Sequence, residues 1–107
     1  MADPITAYIA LGSNLGDRRA LLDDAIARLR QRPGIEVLRV STYLETDPVG
    51  GPEGQGKYLN AVAEISTTLA PIDVLRALLD VETQMGRVRR ERFGPRTIDL
   101  DLLLYGA

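Results

Sequence analysis

The sequence predicts an α+β domain with the element order βαββαβ: a four-stranded antiparallel sheet with two helices on one face. Three observations lead there. Four short stretches are rich in β-branched and apolar residues, and most of them alternate in polarity. Two longer stretches carry apolar residues at helical spacing. Glycine, proline, asparagine and aspartate punctuate the joins between them. With 107 residues the chain is sized for one core, so residues 1–107 are expected to form one domain.

Ile5 to Leu11 is short and β-prone and reads as a buried strand. Gly12-Ser13-Asn14-Leu15-Gly16-Asp17 breaks the pattern as a tight connection leading into a helix. That helix runs from about Arg18 to Arg32, with Leu21, Leu22, Ala25, Ile26 and Leu29 on one stripe, and Pro33-Gly34 ends it. Ile35 to Tyr43 is the second strand, with Ile35, Val37, Arg39, Ser41 and Tyr43 expected on one face. Leu44 to Lys57 contains Gly50, Gly51, Gly54, Gly56, Pro48 and Pro52 and is expected to be irregular. Tyr58 to Thr67 is the third strand, its apolar face made by Leu59, Ala61, Ala63 and Ile65. A second helix runs from Pro71 to about Met85, with Ile72, Leu75, Leu78, Leu79 and Glu82 roughly along its inner side. Gly86 ends it, Arg87 to Pro95 is irregular, and Thr97 to Tyr105 is the fourth strand. This order and these connections are those of the ferredoxin-like split βαβ arrangement. No repeat, linker or low-complexity segment interrupts it.

Hydrophobic content of 45% and charged content of 26% are ordinary for a globular protein. A net charge of −2 gives no global attraction to nucleic acid or anionic membrane. The absence of cysteine excludes disulfide and thiolate chemistry, and the absence of histidine removes the commonest general base. The N-terminus lacks a signal-peptide pattern, and no apolar run approaches the ~18 residues of a membrane span, so a cytoplasmic location is expected.

The last strand carries the most unusual chemistry. Asp99 and Asp101 stand two residues apart in an otherwise apolar run, so they point the same way with α-carbons about 6.5–7 Å apart. Ile98, Leu100, Leu102 and Leu104 are expected to point the other way, into the core. Like charges side by side on such a strand call for a cation between them. Arg87, Arg89, Arg90, Arg92 and Arg96 cluster just before the pair. Carboxylates that hold a divalent metal, beside several guanidiniums, suit a nucleoside triphosphate.

Four segments together resemble the 6-hydroxymethyl-7,8-dihydropterin pyrophosphokinase family of the folate pathway. They are Ala10-Leu11-Gly12-Ser13-Asn14-Leu15-Gly16-Asp17, Tyr58-Leu59-Asn60-Ala61, Gly86-Arg87-Val88-Arg89 and, above all, Gly94-Pro95-Arg96-Thr97-Ile98-Asp99-Leu100-Asp101. The resemblance implies Mg²⁺-dependent transfer of pyrophosphate from ATP to the hydroxymethyl group of the pterin. It implies that Asp99 and Asp101 hold two Mg²⁺ ions, that Arg87 and Arg96 act on the phosphates, and that Glu82 and Arg89 lie on the nucleotide side. It places Tyr58 and Asn60, with Thr46, Pro48 and Val49, at the pterin pocket, and Asn14 near it. It also implies that the Leu44–Lys57 and Arg87–Pro95 stretches close over the substrates.

Members of that family run further at the C-terminus, through a histidine-containing segment. Weak or no turnover by this chain is therefore expected, and a catalytically impaired ATP- and pterin-binding module is the alternative. The expected partners are the two small-molecule substrates, without nucleic acid or membrane, in a monomer or weakly self-associating chain. An RNA-binding domain on the same scaffold would want a basic sheet face with surface aromatics; a net charge of −2 with one phenylalanine and four tyrosines argues against it.

Overall fold

Ile5 to Ser13 form β1, whose Ala7, Ile9 and Leu11 are buried while the residues between them are turned to the other face. The computed structural model describes residues 3–47, 56–86 and 98–106. Within them follow α1 (Arg18–Arg30), β2 (Ile35–Val40), β3 (Leu44–Thr46), β4 (Tyr58–Thr67), α2 (Pro71–Gln84) and β5 (Asp99–Tyr105). The class is α+β. The sheet runs β2-β4-β1-β5, with β3 also paired to β4, and every pairing is antiparallel.

The sheet thus has five strands where four were expected. Ser41 explains the division. Its N–H donates to the Val62 carbonyl, and its Oγ accepts the Val62 N–H, both at 2.9 Å. The hydroxyl takes the place of a backbone carbonyl, and β2 ends. β4 is long enough to pair again further along, and Leu44–Thr46, expected to be irregular, lie against Tyr58–Asn60 as β3.

The inward face of the sheet and the buried sides of both helices make one core. It joins Ile9, Leu11, Ala63, Ile65, Ile98 and Leu100 to Leu22, Leu29, Val74, Leu78 and Val81. In α1 Leu22, Ala25, Ile26 and Leu29 of the expected stripe are buried and Leu21 is half-buried, and the Asp17 side chain caps the helix by accepting the Ala20 N–H at 3.1 Å. The helix stops at Arg30 rather than Arg32. Gly34 follows at φ 81°, and a Cβ there would meet Leu69 at 2.8 Å, so this turn needs glycine twice over.

Three side-chain placements differ from expectation. In α2 the buried stripe is Val74, Ala77, Leu78, Val81 and Glu82, while Ile72, Leu75 and Leu79 are exposed. Two apolar stripes compete on this helix, and the one with smaller residues faces the core. In β2 the register shifts between Val37 and Arg39, so Arg39 sits opposite Glu64 on the open face instead of beside Ile35 and Val37. In β5 a similar shift lies around Leu103: Leu102 pairs with Ile9, but Leu104 pairs with Tyr8. Leu104 is therefore exposed rather than buried, and Tyr105 takes the inward place, its hydroxyl donating to the Leu69 carbonyl at 2.7 Å. Among the described residues, no helix is long and apolar enough to cross a membrane.

Candidate functional site

The open face of the sheet carries a short polar row at the C-terminal end of β1. Gly12 is its centre, paired with Asn60 on one side and Asp99 on the other. Neighbouring strands lie about 4.8 Å apart, so Asn60 and Asp99 stand roughly 10 Å apart across a residue with no side chain. The next open position, Ala10, is flanked by Val62 and Asp101. A Cβ on Gly12 would lie 3.0 Å from Asn60 Oδ1 and 3.5 Å from the Tyr58 ring. Both side chains therefore lean over the glycine. On the far side of β4, Tyr58 pairs with Thr46, and Asn60 Nδ2 donates to Thr46 Oγ1 at 2.5 Å. The result is a trough floored by Gly12, walled on one side by Thr46, Tyr58 and Asn60 and on the other by Asp99 and Asp101.

Residues just beyond β1 brace this end. Asn14 is buried, and its Nδ2 donates to the Gly56 carbonyl at 3.3 Å. Arg18 donates to the Lys57 carbonyl at 2.9 Å and pairs with Glu45 at 2.8 Å. The strand that supplies Tyr58 and Asn60 is thus tied at its start to the end of β1. From the helix side, the carboxylate of Glu82 on α2 is only 3% exposed and accepts the Leu100 N–H at 2.8 Å.

The acidic pair suits a hard cation. Asp99 is half-buried and Asp101 exposed, with Leu100 between them turned into the core. Among the described residues no group of three acidic, histidine or cysteine side chains could hold a metal. A two-carboxylate site fits Mg²⁺, which takes its remaining ligands from water and substrate phosphate, and does not fit an all-protein cage. A separate cleft of about 490 Å³ lies by the start of α1, lined by residues including Arg18, Arg19, Tyr43 and Glu45. There Arg19 stacks 4.9 Å from the Tyr43 ring centre, and the Tyr43 hydroxyl donates to Asp23. Burial first and then that bond push the Tyr43 hydroxyl up to about 12, so it stays protonated and serves packing.

Further along the same open face, Tyr8, Glu64 and Arg39 form a connected group across three strands. Tyr8 donates to Glu64 Oε2 at 2.7 Å, and Arg39 holds both oxygens at 2.9 and 3.2 Å. The bond from Arg39, and then that from Tyr8, hold the Glu64 carboxyl below its ordinary value. A carboxyl depressed in the folded state contributes stability above its unfolded value, and that contribution is lost as pH falls through the folded value. Chemical denaturation from neutral pH into the acid range is thus expected to show a shallower acid loss for Glu64→Gln than for the parent. Identical acid limbs would remove Glu64 from the account.

Strand register places Thr46, Tyr58, Asn60, Asp99 and Asp101 at the same end of the sheet. Pro48, Val49, Arg87, Arg89 and Arg96 lie outside the described residues. Gly12 is the component that the sequence reading missed, because it was assigned to a turn; it lies inside β1. A glycine continuing an apolar strand is itself a sign of close approach by another group.

A family model described as 7,8-dihydro-6-hydroxymethylpterin-pyrophosphokinase (HPPK) matches residues 8–107. Among curated proteins, the chain is 50% identical over 99 residues to a 2-amino-4-hydroxy-6-hydroxymethyldihydropteridine pyrophosphokinase of Bacillus subtilis, covering 92% of this chain and 59% of that one. Proteins of the same name from Haemophilus influenzae and Pseudomonas aeruginosa are 45% and 44% identical, over 95% and 92% of this chain and 63% and 60% of theirs. The chain therefore spans about 60% of the length of these relatives. By the match that runs from Tyr8 through the acidic pair to the end of β5, the chain belongs to the HPPK family.

Proposed function

We propose that this chain transfers the pyrophosphoryl group of ATP to 6-hydroxymethyl-7,8-dihydropterin, a step of folate biosynthesis. The observation that carries the reading is the trough itself: an acidic pair and an amide–aromatic wall face each other across Gly12, on a chain of this family. The relatives' names supply the reaction. The strand order and antiparallel pairings support a ferredoxin-like split βαβ core, with β2 and β3 together taking the place of one strand.

In this reading Asn60 meets the polar edge of the pterin, since its amide offers a donor and an acceptor. Tyr58 walls the ring, and Thr46, Pro48 and Val49 complete that side. Asp99 and Asp101 hold two Mg²⁺ ions, which when bound supply charge neutralisation at the phosphates. Arg87, Arg89 and Arg96 lie on the phosphate side, where guanidiniums bind oxygens in pairs. The pterin hydroxyl oxygen bonds to the β-phosphorus, and the bond to AMP breaks. Positioning and charge account for the catalysis, which suits a chain without histidine or cysteine. The chain works in the cytoplasm as a monomer or with weak self-association.

Formation of AMP on adding 6-hydroxymethyl-7,8-dihydropterin to the chain with ATP and Mg²⁺ tests this directly. Pterin-dependent AMP release is expected. Binding of both substrates without AMP release would replace the enzyme with a binding module.

A further inference from the structure

We infer that Glu82 is a positioning residue for the acidic pair: by accepting the Leu100 N–H it fixes the backbone between Asp99 and Asp101. The inference rests on the proposed role of that pair. Among the described residues, β5 is the outermost strand, bonded to β1 on one side only. An outer strand has backbone groups that no neighbouring strand receives, and it is freer to pivot than a central one. At Leu100, α2 supplies what a further strand would have supplied, a buried carboxylate oxygen at 2.8 Å. A charged acceptor makes a stronger bond than a carbonyl.

The location of this bond is what links it to the site. Leu100 is the one residue between the two aspartates, and its side chain is buried among the core residues opposite Leu11. The pleat at Leu100 sets the angle between the flanking side chains. Glu82 approaches from the helix side, while Asp99 and Asp101 belong to the open face. Among the described residues, Glu82 forms no three-carboxylate group with them. The bond that links it to the pair is the one to the Leu100 backbone.

The test compares Glu82→Gln, which keeps an oxygen acceptor of the same reach, with Glu82→Asp, which keeps the charge but is one methylene shorter. Three quantities are read on the full chain: exchange of the Leu100 amide, the ¹³C signals of the Asp99 and Asp101 carboxyls, and Mn²⁺–ATP affinity by electron paramagnetic resonance. Glu82→Gln is expected to resemble the parent in all three. Glu82→Asp is expected to speed Leu100 exchange, shift both carboxyl signals and weaken Mn²⁺–ATP binding by roughly 10–100-fold.

Equal loss of affinity in both variants would overturn the inference, since a variant that keeps the bond would then do no better than one that loses it. So would fast Leu100 exchange in Glu82→Asp with unchanged affinity, because Glu82 would then only cap an edge. If Glu82→Asp does not fold, the Gln variant decides alone: retained affinity supports the inference, and a tenfold loss with Leu100 still protected overturns it. If the parent chain itself binds no Mn²⁺–ATP, the proposed function fails separately. The carboxyl signals then decide, supporting the inference if they move only in Glu82→Asp and overturning it otherwise.

Discussion

Asp99→Ala and Asp101→Ala are each expected to abolish Mg²⁺-dependent ATP binding while leaving the fold intact. The side chains stand on the open face, half-buried and exposed, so neither removal opens a cavity in the core. Strand pairing to β1 uses backbone groups that alanine keeps. What each variant loses is one of the two hard-oxygen donors, and a Mg²⁺ site this small has no spare carboxylate among the described residues. Titration calorimetry with ATP and Mg²⁺, alongside circular dichroism, separates the two effects. Unchanged affinity in both variants would remove the metal from Asp99 and Asp101.

The second large effect is expected at Gly12. Substitution by alanine brings a methyl to 3.0 Å from Asn60 Oδ1, which a turn of the amide relieves. Valine adds bulk toward the Tyr58 ring as well and fills the floor of the trough. Gly12→Val is therefore expected to weaken pterin binding by roughly a hundredfold, about 2.7 kcal/mol. Loss of Mg²⁺–ATP affinity should be much smaller, because Asp99 and Asp101 keep their backbone positions. Fluorescence titration with the pterin and calorimetry with ATP give the two numbers. Equal losses of both ligands would mean that valine disturbs β1 rather than the trough.

Much of this arrangement was legible in the sequence because alternation and turn residues are local signals. Four of the five strands, both helices and the shared face of Asp99 and Asp101 follow from them, whereas Leu44–Thr46 was expected to be irregular. The misplacements have a common physical origin. A bulge leaves no mark in hydrophobic alternation, so Arg39 and Leu104 were assigned to the wrong face until pairing partners were known. In α2, Ile72, Leu75 and Leu79 are as apolar as the stripe that is buried, and periodicity alone does not choose between them. Ser41 ends β2 through its hydroxyl, a bond that depends on Val62 some twenty positions later. Gly12 looked like punctuation because its partners, Tyr58 and Asn60, are brought to it only by pairing. The arginines expected on the phosphate side, Arg87, Arg89 and Arg96, lie outside the described residues.

The bulge at Leu103 divides β5 into two stretches with separate registers. Toward the N-terminal side, Asp99, Leu100 and Asp101 are matched one to one with Gly12, Leu11 and Ala10. Toward the other side, Leu104 and Tyr105 are matched to Tyr8 and Ala7 with one residue in excess. Deleting Leu103 would make the register continuous, leave Leu104 and Tyr105 opposite Tyr8 and Ala7, and rotate neither aspartate. The tail of this strand can therefore gain or lose residues over evolutionary time while the carboxylates keep their aim, and the acidic pair is insulated from whatever the chain does after it.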